Sequence, residues 1–363
     1  MTISLTIQKA RKLRLRAQHL HANARIGVAD LVRDLAAVQA QDAGAEVLAV
    51  RVRTQGLTED EVEKARVEER SVVRTWTLHL VSSKDIHWML GLLGPLMIRK
   101  MQRRHLELGL TEDVFVKAVR VMQEALGDYG PLTRQQLAQP WSKHGLPAEG
   151  QAVPHLLSWA SMAGIICFGP TVKGKATHVL LDDWLPDVET KVTDPRAELA
   201  RRHVTAYGPA TPDDFQAWSG LPVADARAGY DEIAGELLQV DVEGLPMWLL
   251  KDRAEWLDQT LDAGSITKML GAFDTYLLGY RTRDLDISPD LMKKVHPGGG
   301  IIRPVILVDG RAVATWTRKR TGLKMSITVS PFEPLHKEIH AAVDAEVNDI
   351  GRFLGVDGSW AVE

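Results

Sequence analysis

Two glutamines and an aspartate stand close together in the chain, and their side chains could act on a bound water or a charged substrate. Gln39 and Gln41 are two positions apart, and Asp42 follows directly. An amide can donate a hydrogen bond to water and accept one from it, but it cannot take up a proton at neutral pH. The pair could therefore orient a water for attack on an activated bond, but it could not serve as a strong general base.

The backbone that carries these side chains decides whether they can act together. The sequence predicts a helix over residues 30–42 with an apolar face that ends at Val38. Side chains two apart point in different directions on a helix and share a face on an extended strand. Joint action of both amides would therefore require the chain to leave helical geometry at Ala40. The alternative is two glutamines on a solvated helix end, with Asp42 as a helix cap or an arginine partner.

Other motifs that could bind a ligand are incomplete. Gly169, Gly174 and Lys175 match the start of a phosphate-binding loop, but Ala176 replaces the hydroxyl that would ligate magnesium. A strand rather than a helix is predicted to follow, so we reject nucleotide binding there. Two histidine pairs lack an evident third metal ligand: His19 with His21 and His336 with His340. We expect neither a metal nor another cofactor.

Composition indicates an ordinary globular protein. The 363 residues are 45% hydrophobic and 25% charged, which is enough for two or three units with their own cores. The longest apolar run, residues 88–98, is far shorter than the roughly 18 residues of a membrane-spanning helix. No secretory signal is visible, and the single Cys167 cannot form an intrachain disulfide. We therefore expect a cytoplasmic protein that is not embedded in a membrane.

Charge is unevenly distributed along the chain. The formal net charge is −3, yet residues 1–29 carry six basic side chains and no acid. Residues 310–332 also lack acids and contain Arg318, Lys319 and Arg320 within a predicted pair of strands. Such clusters could form one basic face, although most basic clusters of this kind are solvated helix faces.

The pattern of elements indicates an α+β fold with tandem winged-helix units, each a helix-turn-helix followed by a β-hairpin wing. Helices over 134–141 and 151–163 precede strands over 165–168 and 178–181, and a similar order recurs over 195–251. A weaker third copy lies near the N-terminus. The last hundred residues predict a mixed α/β region with a basic hairpin. The expected domains are four consecutive segments: 1–125, 126–190, 191–260 and 261–363.

The sequence resembles the winged-helix DNA glycosylases of the AlkZ and YcaQ type. The resemblance covers most of the chain in order and rests on six stretches: AVQAQD at 37–42, VRTWTLHLV at 73–81, GPLTRQQLA at 130–138, FDTYLLGYR at 273–281, IRPVILVDG at 302–310 and PFEPL at 331–335. One departure is a shortening between Trp76 and Leu78, where the family is expected to have additional residues, including an Arg-Gly pair.

The resemblance implies that Gln39 and Gln41 are catalytic and hold the water that hydrolyses the glycosidic bond of an alkylated purine. Alkylation at guanine N7 places a positive charge on the base, which makes the base a good leaving group. Asp42 could then stabilise the developing sugar cation. The nearest lysine downstream is Lys64, so no nucleophile for a lyase step adjoins the pair and we expect monofunctional hydrolysis to an abasic site.

The predicted partner is double-stranded DNA with alkylated bases, bound by a monomer. Alongside Arg318, Lys319 and Arg320, we assign Arg74 and His79 in the second of these stretches to the DNA-binding surface. Bulky adducts or interstrand crosslinks could belong to the substrate range. A non-catalytic winged-helix DNA-binding protein, either a regulator or a resistance protein, is the main alternative. A scaffold for protein partners is the third, and a weak salt dependence of DNA binding would distinguish it.

Overall fold

The computed structural model describes residues 3–21, 25–75, 79–186, 188, 191–259 and 264–363. The chain forms two compact units. The first unit combines Met1–Val62 with Arg196–Glu363, and the second unit is Glu63–Pro195. Both contain helices and strands, which confirms the α+β class. Segment 1–125 is shared between the two units, and the four-domain division stays a prediction. Within the described ranges, no helix is long and apolar enough to cross a membrane.

The first six elements of the chain flank the glutamine pair, which lies at the end of the second strand and just after it. In chain order they are β1 (Ile3–Leu5), α1 (Ile7–Ala17), α2 (Val28–Asp34), β2 (Val38–Gln39), α3 (Ala43–Arg51) and α4 (Glu59–Val67). Two basic residues of α1 form hydrogen bonds to other residues of the first unit. Arg14 is buried and donates to Asp286 at 3.1 Å, and its guanidinium lies 3.6 Å from the centre of the Tyr280 ring. Arg11 donates to the Leu285 carbonyl. These two arginines therefore do not contribute to a free basic face.

After the end of α4, the second unit contains two strands and a long helix. A second long helix, a short strand, two helices, a β-hairpin and a short helix follow. Its elements are β3 (Val72–Arg74), β4 (His79–Ser82), α5 (Ile86–Glu107), α6 (Glu112–Tyr129), β5 (Leu132–Thr133), α7 (Arg134–Lys143), α8 (Ala152–Met162), β6 (Ile166–Phe168), β7 (Thr177–Leu180) and α9 (Leu181–Trp184). From α7 to β7 the predicted two helices and two strands are present, and β7 is central in a β5-β7-β6 sheet whose strand β5 was not predicted. Residues 169–175 join β6 to β7, and β7 rather than a long helix follows them.

A capping box starts helix α7 where the sequence predicts its N-terminus. The backbone nitrogen of Gln136 donates to the Thr133 hydroxyl at 3.3 Å, and the backbone nitrogen of Thr133 donates to the side-chain oxygen of Gln136 at 2.9 Å. The reciprocal bonds satisfy two backbone donors that a helix start leaves open. Trp141 and Leu157 are completely buried in the core that α6, α7 and α8 share.

The chain then returns to the first unit. The elements there are α10 (Pro195–Tyr207), α11 (Pro212–Ser219), α12 (Val223–Glu232), β8 (Leu237–Val242), β9 (Leu245–Leu250), β10 (Thr267–Leu270), α13 (Met292–Val295), β11 (Val305–Val308), β12 (Arg311–Thr321), β13 (Lys324–Pro331), α14 (Lys337–Leu354) and β14 (Asp357–Val362). From α10 to β9 the predicted second copy is present. Thr211 and Asp214 form its capping box, and β1 pairs with β8 in parallel.

The C-terminal region is a five-stranded sheet in the order β10-β11-β12-β13-β14. Neighbouring strands are antiparallel except for β13 and β14, which helix α14 connects in parallel. The sequence predicts β11, the start of β12, β13 and α14. It does not predict β10 or β14. Strand β14 is mostly exposed and lacks an apolar face that would mark it as a strand.

A buried ion pair holds the end of α3 against this sheet region. Both oxygens of Asp274 accept from the Arg53 guanidinium, at 2.7 and 2.9 Å, and both side chains are fully buried. Arg53 also donates to Gln18 at 2.8 Å, which brings α1 into the same network. Asp274 itself accepts from the Tyr276 nitrogen at 2.9 Å. The geometry that one bidentate pair imposes therefore ties three segments of the first unit together.

A second arginine fixes the last turn of α3 to helix α14. Arg51 donates to Glu346 at 3.0 Å and to the Met269 carbonyl at 2.9 Å, and its side chain is almost completely buried. Glu346 in turn accepts from the Met269 nitrogen at 3.0 Å. Because Arg51 and Arg53 both point into the unit, the C-terminal end of α3 cannot move without breaking buried charge pairs.

Loss of the Asp274 carboxylate should destabilise the first unit strongly. Asp274→Ala leaves Arg53 buried without its charge partner, and we expect the free energy of unfolding to fall by about 3–5 kcal/mol. Asp225→Ala is the matched control, because Asp225 pairs with Arg196 at 3.5 Å on the surface of the same unit and should cost about 1 kcal/mol or less. Urea unfolding of both variants measures the difference. Equal losses would show that the buried pair does not anchor α3.

Candidate active site at the start of helix α3

The glutamine pair lies on extended backbone. Helix α2 ends at Asp34, and Ala36 has φ = +63°, a left-handed conformation that stops the helix. The prediction of a helix over 30–42 is therefore wrong, because alanine at such a position carries no sequence signal comparable to glycine. The predicted departure from helical geometry is confirmed and begins before Ala40, with β2.

Extended geometry brings the two amides together. The Gln39 Nε2 atom donates to Gln41 Oε1 at 3.5 Å. Val38 and Ala40 are buried, Gln39 is half-buried and Gln41 is exposed. The alternation of a strand thus turns the apolar side chains inward and both amides towards the surface. Two adjacent amides with free hydrogen-bonding capacity can hold one water between them.

Asp42 caps the helix that follows. Its Oδ1 atom accepts from the Gly44 nitrogen at 2.8 Å and from the Ala45 nitrogen at 3.2 Å. The capping use that the sequence leaves open is therefore present. The residue remains exposed, so the carboxylate keeps a second oxygen that can face a substrate while the cap stays formed.

Arg318 of the C-terminal hairpin reaches the same helix start. Its Nη2 atom donates to the Gly44 carbonyl at 3.1 Å. A side chain at Gly44 would bring a Cβ to 2.5 Å from that nitrogen, so glycine makes room for the guanidinium. Burial lowers the pKa of Arg318, and the carboxylates of Asp42 and Glu59 partly oppose that effect. The structure thus brings Arg318 to the helix start that Asp42 caps, although Arg318 and Gly44 are 274 positions apart in the sequence.

The basic stretch lies on the predicted hairpin, inside strand β12. Arg318 is opposite Ile327, Lys319 opposite Ser326 and Arg320 opposite Met325. Because side chains alternate along a strand, Arg318 and Arg320 share one face and Lys319 points to the other. All three residues are exposed, and they differ in their contacts. The three residues are therefore not equivalent, and only Arg318 contacts the helix start.

Arg74 and His79 belong to the second compact unit. Arg74 ends β3, and its guanidinium lies 5.0 Å from the centre of the Phe168 ring. His79 begins β4 and is half-buried. The shortened segment between Trp76 and Leu78 lies outside the described residues. The assignment of Arg74 and His79 to a DNA-binding surface stays a prediction.

The histidine pairs have neighbours of other kinds. His19 Nε2 lies 2.9 Å from Asp34, and the His340 ring centre lies 5.4 Å from that of Trp360. His336 is the N-cap residue of α14. No group of three or more metal-ligating side chains occurs in the described ranges.

Residues that position the site are missing from the sequence predictions. Arg51 and Arg53 hold the far end of α3, and Gly44 admits Arg318 at its beginning. The one available signal is the FDTYLLGYR stretch, which contains Asp274. A buried acid in that stretch implies a basic partner, but nothing in the sequence identifies that partner as Arg53.

Comparison with known proteins assigns the chain to a family. The family described as DNA glycosylase AlkZ-like matches residues 32–353, a range that includes the glutamine pair and the basic hairpin. The chain belongs to this family. It is 27% identical over 372 residues to the interstrand DNA cross-link repair glycosylase of Streptomyces sahachiroi, covering 94% of this chain and 95% of the relative.

A solved structure has the same fold. The Streptomyces sahachiroi DNA glycosylase AlkZ superposes with a TM-score of 0.81 at 23% identity, and the match covers 99% of this chain and 100% of that chain. The similarity extends through both compact units, so the mixed α+β architecture is that of AlkZ.

Lys319 and Arg318 should differ in their effect on DNA binding. Lys319→Gln removes an exposed charge from the hairpin, so we expect the slope of log K against log salt to become about one unit shallower. Arg318→Gln should change the slope less, because the Arg318 guanidinium donates to the Gly44 carbonyl. Titration of duplex DNA at several salt concentrations measures both slopes. Equal changes would mean that Arg318 leaves its helix contact to bind phosphate.

Proposed function

We propose that the protein is a monofunctional DNA glycosylase that hydrolyses the N-glycosidic bond of cationic alkylated purines and leaves an abasic site. The observation that carries this proposal is the pairing of the Gln39 and Gln41 amides on extended backbone at the start of α3. Membership of the AlkZ-like family supports DNA glycosylase activity in general. The choice of N7-alkylguanine rests on the chemistry of the site.

Weak catalytic groups suit a substrate that is already activated. A cationic base departs without protonation, so the enzyme does not have to supply an acid to the leaving group. The sugar that remains has oxocarbenium character and requires only a water in the right position. Two amides can position that water, although they cannot deprotonate it. The carboxylate of Asp42, with an oxygen beyond those used for capping, would stabilise the positive sugar.

We also propose that the helix, helix and hairpin repeats are winged-helix units that bind duplex DNA. Two stretches support this: α6 to β7 in the second unit, and α10 to β9 in the first. Several such units in one chain can contact an asymmetric site without a second copy, so we propose a monomer that acts in the cytoplasm. The cross-link repair glycosylase among its relatives leads us to include interstrand crosslinks among the substrates.

Removal of either amide should lower the rate of excision. Gln39→Ala and Gln41→Ala lose a water-orienting group, and we expect single-turnover release of N7-methylguanine to fall by about a hundredfold or more. DNA affinity and thermal unfolding should change little, because neither amide is buried in a core. Gln123→Ala, an exposed glutamine on α6, serves as the control. Excision at the wild-type rate by both variants would remove the amide pair from catalysis, and absence of excision by the wild type would favour a non-catalytic DNA-binding protein.

The charge of Asp42 can be separated from its capping role. Asp42→Asn keeps a good N-cap, so stability should be unchanged while excision falls by at least about tenfold because the sugar cation loses its negative partner. Asp42→Ala removes the cap too and should also lower the free energy of unfolding by about 1 kcal/mol. Single-turnover rates and urea unfolding of both variants provide the measurement. Unchanged excision by Asp42→Asn would restrict Asp42 to capping.

A further inference from the structure

A surface pocket of about 280 Å³ lies in the first compact unit, beside the end of α1. Three segments contribute to it: the end of α1 with the residues that follow, the end of α2, and the 3₁₀ helix Lys251–Leu257. Its polar and aromatic lining consists of Arg16, His19, His21, Asp34, Arg253 and Trp256. None of these residues belongs to the glutamine site or to the basic hairpin.

Two arginines of the lining are gathered on one tryptophan. The guanidinium of Arg16 lies 4.3 Å from the centre of the Trp256 ring, and the guanidinium of Arg253 lies 4.5 Å from it. An indole ring attracts a cation, but it carries no net charge that could neutralise two of them. Two positive charges are therefore held close together at the pocket.

Neither guanidinium has a carboxylate partner in the part of the chain that the structure describes. Arg16 donates to the side-chain oxygen of Gln259, and Arg253 donates to the Thr205 carbonyl at 2.6 Å. Both acceptors are neutral, and both arginines are half-buried. Buried arginines of the same unit do pair with acids: Arg14 with Asp286, Arg51 with Glu346 and Arg53 with Asp274. A partly desolvated cation without such a partner favours the binding of an anion.

The carboxylate in the lining is engaged elsewhere. Asp34 lies 2.9 Å from the His19 ring. Burial lowers the pKa of Arg253, Asp252 and Asp34 oppose this effect, and Arg16 adds to it. Because neither acid forms an ion pair with Arg253, their attraction acts over a longer distance and leaves its N–H groups available to a ligand.

A histidine of the lining lies in the same positive field. Burial lowers the pKa of His21, and the charges of Arg16 and Lys12 lower it further. Arg16 thus repels a second positive charge at Arg253 and disfavours one at His21. An anion in the pocket would relieve this repulsion.

The number of donors selects the kind of anion. A carboxylate has two oxygens, which a single guanidinium can occupy in the bidentate geometry. A phosphate group is tetrahedral and has further oxygens for a second guanidinium, so it can accept from both arginines at once. The pocket has space for several water molecules, each of which takes about 30 Å³ in the liquid, and this space is sufficient for one phosphate.

We propose that this pocket binds a phosphate group that accepts hydrogen bonds from Arg16 and Arg253 together. Three observations point to this ligand: two guanidiniums on one ring, the lack of a carboxylate partner for either, and the adjoining space. The phosphate could be a free ion or monoester, or it could belong to the DNA backbone. Only the DNA source rests on the function proposed above.

Isothermal titration calorimetry on the full chain at pH 7 tests the ligand class. Inorganic phosphate should bind saturably at one site, and acetate should bind about tenfold more weakly or worse because it cannot satisfy both guanidiniums. Arg16→Gln and Arg253→Gln should each weaken phosphate binding by about tenfold or more. Arg227→Gln removes an exposed arginine of α12 and should bind phosphate as the wild type does.

Duplex DNA titrated at several salt concentrations separates the two sources. A slope of log K against log salt that becomes about one unit shallower in Arg16→Gln and Arg253→Gln, but not in Arg227→Gln, assigns the pocket to a backbone phosphate. Unchanged slopes with loss of inorganic phosphate binding assign it to a free phosphate or monoester.

Thermal unfolding shows whether each variant is folded, and Arg16→Gln decides the test if loss of the Thr205 contact unfolds Arg253→Gln. Phosphate that binds the two pocket variants as it binds the wild type lies elsewhere and overturns the proposal. Equal affinities for acetate and phosphate overturn it too, as does the absence of phosphate binding together with unchanged DNA slopes.

Discussion

The bidentate pair between Arg53 and Asp274 is the interaction on which the rest of the first unit depends. Both groups are fully buried, so each would impose a large desolvation cost if the other were absent. The pair fixes the C-terminal end of α3 to the segment that follows β10, and Gln18 links α1 to the same point. The helix that carries the candidate site at its beginning is thus held rigidly at its end. A site that must place one water accurately gains from such support.

The two ends of α3 differ in exposure: its C-terminal end is buried and its N-terminal end faces solvent. Its last turn directs Arg51 into the unit, where Glu346 and a backbone carbonyl satisfy it. Its first turn presents Asp42 and the preceding amides to solvent. The hairpin formed by β12 and β13 reaches this exposed end through Arg318. An arginine of this basic strand is therefore in direct contact with the backbone of the turn that follows the two amides.

The second unit contributes different properties. Its helix, helix and hairpin order is shared with the segment from α10 to β9, but it also includes the long helix α5, whose Gly94 lies against the backbone of α8. A Cβ at Gly94 would lie 2.1 Å from the Met162 carbonyl oxygen, so glycine permits the close approach of the two helices.

The sequence by itself determined the elements whose signals are local. Capping residues such as Thr133 and Thr211, the hairpin around Arg318 to Arg320, and the family resemblance at AVQAQD all depend on neighbouring residues, and they predicted the α+β class and the glutamine pair. The early end of α2 was not predictable, because Ala36 adopts a left-handed conformation that alanine does not favour. Only the tertiary structure decided that Arg53 meets Asp274 and that Arg318 meets Gly44. These contacts join residues more than 200 positions apart, and the free energy that selects them comes from burial and charge pairing in the folded core rather than from local preference.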